Sequence, residues 1–166
     1  MKESYKSTLL FWFVFLFFVI IDQLSKWWAK FSLVSPKIII PSMLQFLYVE
    51  NTGASFGMLQ NNNALLMWFS VIIIGFIVYE FSSLPDHFLL KGGMTLILAG
   101  AVGNLLDRAI RGFVIDFIDI SIWPTFNIAD SCITVGAGCA VWYYLVIDGK
   151  SGKIVGNKLK KESPKK

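Results

Sequence analysis

The stretch 113–130, FVIDFIDISIWPTFNIAD, sets Asp116, Asp119 and Asp130 among almost wholly apolar neighbours. Two carboxylates brought together resist double ionisation and share one proton. The ionised one then accepts a proton from water while the protonated one polarises a scissile carbonyl or protonates the leaving amine, which is the chemistry of aspartic amide hydrolysis. Asp116 and Asp130 lie fourteen residues apart across the break at Trp123-Pro124, so a fold-back pairs them. A structural reading competes for Asp130. Asn127 suits a helix N-cap, which puts Asp130 at N3 as in a capping box. Metal chemistry has little support: His87 is the only histidine, and Cys132 and Cys139 form no CxxC pair. Seven residues apart on a helix, these cysteines lie two turns apart on one face, too far for a disulfide.

Three further polar clusters stand out. In DQLSK, Asp22 precedes Lys26 by four residues, the favourable order for a helical ion pair. In ENTGASFG (50–57), Asn51 and Gly53 favour a turn and allow backbone to approach a ligand closely. In AGAVGNLLDRAIRG (99–112), Gly100, Gly103 or Asn104, and Asp107 share one helical face; Asp107–Arg108 also fits a plain interfacial pair. Each has a structural reading, but charges at membrane depth cost about 2.5–3.5 kcal/mol apiece on insertion scales and therefore point to function.

The elements around them are those of a membrane protein. The chain has 166 residues, is 55% apolar and has a mean hydropathy of +0.63. Four spans are expected near residues 8–28, 64–81, 92–106 and 127–147, in an all-α polytopic fold with 1–150 as one domain. The first begins after Lys2 and Lys6 and lacks a small-x-small cleavage site, so it reads as a retained span starting in the cytoplasm. Residues 29–63 are rich in turn formers. Their runs IIIP and FLYVE suggest a small outer β-hairpin, with a short interfacial helix near 56–62. Residues 107–125 are expected to turn outside the core, and Asp119 to face the interface or a loop partner. Gly92, Gly93, Gly100 and Gly103 allow close helix contact. The net charge of +4 is concentrated in 150–166, which carries seven Lys and one Glu. Lacking aromatics and following directly on a span, this is read as a cytoplasmic tail near anionic lipid rather than a nucleic-acid site.

DQLSK, NTGASFG, GNLLDR, GFVIDFIDI and FNIAD occur in the order seen in bacterial lipoprotein signal peptidases (signal peptidase II), and the resemblance covers about residues 10–148. It implies an intramembrane aspartic endopeptidase, without cofactor or metal, that removes signal peptides from diacylglyceryl-modified prolipoproteins. It also implies a catalytic pair at Asp116 and Asp130, with supporting or substrate-binding roles for Asp22, Lys26, Asn51, Gly53, Asn104, Asp107, Arg108 and Asn127. A monomer in the bacterial cytoplasmic membrane is expected, with both termini cytoplasmic, the site near the outer face, prolipoprotein and lipid as partners, and no nucleic acid. A proton-coupled transporter would also keep intramembrane carboxylates, but the chain is short and shows no inverted repeat. A scaffold would not need Asp116 and Asp130, and a presenilin-like protease would carry GxGD, which is absent.

Overall fold

The computed structural model describes residues 2–53 and 62–149, with side chains from Thr8 onward. The helix expected near 56–62 and the tail 151–166 lie outside the described residues, apart from Asn62. Within the described residues, the elements in order are α1 (Lys2–Ser32), β1 (Lys37–Ile40), β2 (Leu44–Asn51), α2 (Asn63–Glu80), α3 (Phe88–Arg111), β3 (Val114–Asp119), α4 (Ile128–Trp142) and a π-helical continuation, Tyr143–Asp148. Among the described residues, four helical stretches, Thr8–Ser32, Asn63–Glu80, Phe88–Arg111 and Ile128–Asp148, are long and apolar enough to cross a membrane.

α3 is the central helix. Half of its apolar stretch is buried inside the protein, against 11% for α1 and α2. Its composition explains this, because small residues let neighbouring backbones approach. A Cβ on Gly100 would collide with the Ala129 carbonyl oxygen and would lie 2.8 Å from Ile133 Cγ1. One on Gly93 would lie 2.8 Å from both Cys139 Cβ and the Gly136 carbonyl oxygen. Gly136 on α4, not singled out in the sequence, answers Gly93 across this seam. Gly92 lies outside it: a Cβ there meets only the Phe11 ring, at 4.0 Å.

α3 also runs farther than expected. Instead of ending near Leu106 it continues to Arg111 and stops at Gly112, whose φ of +85° and N–H bond to the Arg108 carbonyl make a left-handed C-cap. Residues 107–111 are therefore helical, and Asp107 is fully buried rather than outside the core.

The sheet is antiparallel with order β1-β2-β3. The hairpin expected from IIIP and FLYVE is β1–β2. The third strand was not expected, and it makes the segment of Asp116 regular backbone. Its alternation turns Ile115 and Phe117 to one face and Val114 and Asp116 to the other. Ile115 and Phe117 pack with Ala29 of α1 and Leu33 just beyond its end, and Phe46 and Tyr48 of β2 join them. This seats the sheet on one end of α1.

The seam yields a test. Gly100→Ala should lower stability by about 1–3 kcal/mol through overpacking, read as a fall in Tm of the purified protein. Gly75→Ala and Gly138→Ala, where a Cβ meets nothing within 4 Å, should cost nothing and gain up to about 1 kcal/mol of helix propensity.

Candidate active site

Asp116 and Asp130 border one cavity of about 930 Å³ at the sheet end of the helices. β3 delivers Asp116 and the first turn of α4 delivers Asp130. Asn127 is the N-cap of α4. Its side-chain oxygen accepts from Asp130 N at 2.9 Å, and its own N–H donates to Asp130 Oδ2 at 3.2 Å, completing the capping box. Its amide Nδ2 donates to Asp116 Oδ1 at 2.7 Å. One asparagine thus ties both carboxylates together, and capping and pairing are compatible roles for Asp130.

Each carboxylate has a second amide donor. Asn51 Nδ2, at the end of β2, donates to Asp116 Oδ2 at 2.8 Å. Asn104 Nδ2, on α3, donates to Asp130 Oδ1 at 2.8 Å. Burial is the largest influence on Asp116 and the charge of Asp130 the next; together they push its carboxyl up to about 7, against the opposing pull of the Asn51 and Asn127 bonds. Asp116 therefore holds a proton at the lower edge of neutrality. The Arg108 guanidinium attracts Asp130 more strongly than Asp116. Its Nη2 donates to the Gly53 carbonyl at 3.1 Å, and Gly53 N donates to Asn51 Oδ1 at 2.9 Å, so Asn51, Gly53 and Arg108 form one linked side of the cavity.

Beneath this lies a buried ionic cluster. Lys26 Nζ is 2.8 Å from Asp22 Oδ2, 3.1 Å from Asp107 Oδ2 and 3.0 Å from Asn104 Oδ1. Asp22 Oδ1 accepts from Ala129 N at 2.8 Å, placing a carboxylate of α1 on the N-terminus of α4. A Cβ on Gly103 would sit 2.6 Å from Asp22 Oδ2, so only glycine admits this carboxylate. Asp107 Oδ2 also accepts from Ile115 N at 3.1 Å, fixing the residue beside Asp116.

All ten sequence-derived site residues belong to this connected assembly. Two members were missed. Gln23 Nε2 donates to Gly103 O and Asp107 Oδ1, each at 3.1 Å, and Arg111 pairs with Asp107 Oδ1. Arg111 was legible: it follows Asp107 by four residues, the same acid-before-base spacing as Asp22 and Lys26. Asp119 stands apart. Gln45 Nε2 at 2.6 Å and Ser121 N at 2.8 Å donate to it and hold its carboxyl below the usual range.

Comparison with known proteins points to one family. The family described as Signal peptidase (SPase) II matches residues 14–146. The lipoprotein signal peptidase of Syntrophomonas wolfei is 40% identical over 145 residues, covering 84% of this chain and 95% of its own. That of Moorella thermoacetica is 38% identical over 136 residues, covering 80% and 91%. A bacterial membrane enzyme solved by the in meso method at 2.3 Å resolution superposes with a TM-score of 0.77 at 30% identity, over 95% of this chain and 94% of its own. The paired aspartates, the four long apolar helices and these matches agree, and the chain belongs to the signal peptidase II family.

Proposed function

We propose that this chain cleaves signal peptides from diacylglyceryl-modified prolipoproteins with Asp116 and Asp130 as its catalytic pair. The observation that carries the assignment is Asn127 joining both carboxylates at a cavity they share. Asp130 is the general base. Its place at a helix N-terminus, its amide donors and the nearby Arg108 all favour the carboxylate form. It takes a proton from the attacking water. Asp116 is the general acid: its proton polarises the scissile carbonyl and passes to the leaving amine. Water adds to the amide carbon, the C–N bond breaks, and a carboxylic acid and an amine leave. No step requires a metal.

Asp116→Asn and Asp130→Asn should each lower the rate of cleavage of a synthetic lipidated signal peptide by about 10²–10⁴-fold. EDTA should leave the rate unchanged. A peptide carrying a non-cleavable hydroxyl at the scissile position should inhibit, as a mimic of the tetrahedral intermediate. Full activity of either variant, or a loss in EDTA that zinc restores, contradicts the mechanism.

The raised affinity of Asp116 for its proton gives two pH signatures. Cleavage requires Asp116 protonated, so kcat/KM should fall as pH rises through about 7. Stability follows the same sign. The unfolded carboxyl releases its proton near 3.8 and the folded one near 7. The stabilisation is therefore complete below pH 3.8 and lost as pH rises towards 7. Asp116→Asn removes that decline. Its stability relative to the parent should improve by about 2 kcal/mol between pH 5 and pH 7, at 1.36 kcal/mol per pH unit with the slope easing as the carboxyl ionises near 7, measured by denaturation at both pH values.

The chain acts as a monomer in which residues 1–150 form one membrane peptidase domain. Both termini are cytoplasmic, the Lys-rich residues 151–166 included, and the sheet end with its dyad faces outward. Lys2 and Lys6, ahead of the apolar stretch that begins at Thr8, and the tail lysines support this orientation. Its partners are lipid-modified prolipoproteins and membrane lipid, not nucleic acid. In intact cells bearing a variant without Cys132 and Cys139, an impermeant thiol reagent should label Ser121→Cys and spare Ser83→Cys. The opposite pattern inverts the topology.

A further inference from the structure

We propose that Arg111 is a positioning residue for the dyad, acting through Asp107 to keep the buried ionic cluster electrically neutral and in register. The inference rests on the assignment of Asp116 and Asp130 as the reacting pair. Asp22, Lys26 and Asp107 are at most 1% exposed, so their charges have almost no water to balance them. Lys26 supplies one positive charge against two carboxylates. Arg111 supplies the second from the last turn of α3, where it pairs with Asp107 Oδ1 and donates to Gln23 Oε1 at 3.4 Å. With its side chain 21% exposed, it reaches the cluster from the edge of the protein.

Neutrality matters because this cluster holds the atoms that orient the dyad. Asp107 divides its oxygens: Oδ1 takes Arg111 and Gln23, and Oδ2 takes Lys26 and Ile115 N. Without Arg111, two buried carboxylates compete for one ammonium, and an uncompensated buried charge is strongly unfavourable. Lys26 is drawn towards Asp107. Its bond to Asn104 Oδ1 weakens, and with it the orientation of the amide that donates to Asp130. The extra negative charge also raises the proton affinity of both dyad carboxyls.

Among the described residues, the charged and titratable groups around Arg111 are few. On α1 they are Asp22 and Lys26, and on α3 Asp107 and Arg108. On β2, Tyr48 feels both Arg111 and Asp107 while its hydroxyl donates to Glu50 at 2.9 Å. Beyond the cluster stand Asp116 and Asp130. Loss of Arg111 leaves this environment one unit more negative.

The test is the pH profile of kcat and KM for a lipidated signal peptide with the full-length Arg111→Gln variant, with Arg111→Lys, Asp107→Asn/Arg111→Gln and Asp116→Asn run in parallel. Arg111→Gln should lower kcat about tenfold or more with KM within about twofold, and move both limbs of the profile up by about half a pH unit or more. Arg111→Lys, which keeps the charge, should restore the limbs. The double variant removes one charge of each sign, so its limbs should return to the parent positions even if its kcat stays low. If Arg111→Gln does not purify folded, the double variant and Arg111→Lys carry the test. Limbs unmoved in Arg111→Gln, or displaced in either other variant, overturn the proposal and leave Arg111 a structural residue. Activity retained by Asp116→Asn overturns the dyad assignment instead, a separate outcome.

Discussion

Lys26 is the point on which the arrangement turns. Its ammonium is fully buried and has three near partners, Asp22, Asp107 and Asn104, one for each of its protons. A buried ion pair is favourable only when geometry is good and the remaining lone pairs are satisfied. Here they are. Asp22 passes its other oxygen to Ala129 N on α4, and Asp107 accepts from Ile115 N on β3. One charge at the end of α1 therefore indexes α3, α4 and β3 against one another, and those three elements carry Asn104, Asp130 and Asp116.

The sequence reveals much of this for a physical reason. Charges are costly in an apolar helix, so Asp22, Lys26, Asp107 and Asp130 advertise themselves. Asn127 and Asp130 were readable because a capping box has a local spacing, and the box is present. From its own neighbours Asn51 was readable only as a turn former, and its supporting role came from the family resemblance. Its bond to Asp116 joins residues 65 apart, and local pattern carries no such information. β3 was hidden for a related reason. VIDFID alternates weakly, because Asp116 faces the cavity while every residue of 114–117 is buried, so the strand lacks the polar face that marks a half-exposed one. The end of α3 was misplaced because Asp107 and Arg108 resemble an interface. In fact Asp107 is enclosed by Lys26, Gln23 and Arg111, and the helix stops only where Gly112 permits a left-handed residue.

The glycines serve the same purpose as the charges. Gly103 makes room for the Asp22 carboxylate, and Gly100 lets α3 approach the backbone of Ala129. Polar bonds of fixed length reach across a helix pair only if the helices lie close enough. The small-residue seam sets that spacing, and the ionic cluster then fixes rotation and register. Neither suffices alone: a close seam without directional bonds allows sliding, and the cluster without the seam would be stretched beyond bonding distance.

α2 contributes little to this bracing: its Asn63 Nδ2 donates to the Arg108 carbonyl of α3 at 3.2 Å, but it gives no bond to either carboxylate. It lines the cavity with Leu65, Leu66, Phe69 and Ile73, and the hydroxyl of its Ser70 turns back to the Leu66 carbonyl at 2.9 Å. Only 11% of its apolar stretch is buried within the protein. The carboxylates are held from α1, α3, α4 and the sheet, so movement of the α2 wall need not disturb their geometry. This division suits hydrolysis of a lipid-bearing peptide. The reacting groups need rigidity, because misplacement of about 1 Å costs about 10²-fold in rate. An apolar wall such as that of α2 needs only to exclude water and yield to shape. Directional polar bonds hold the first side, and non-directional apolar surface forms the second.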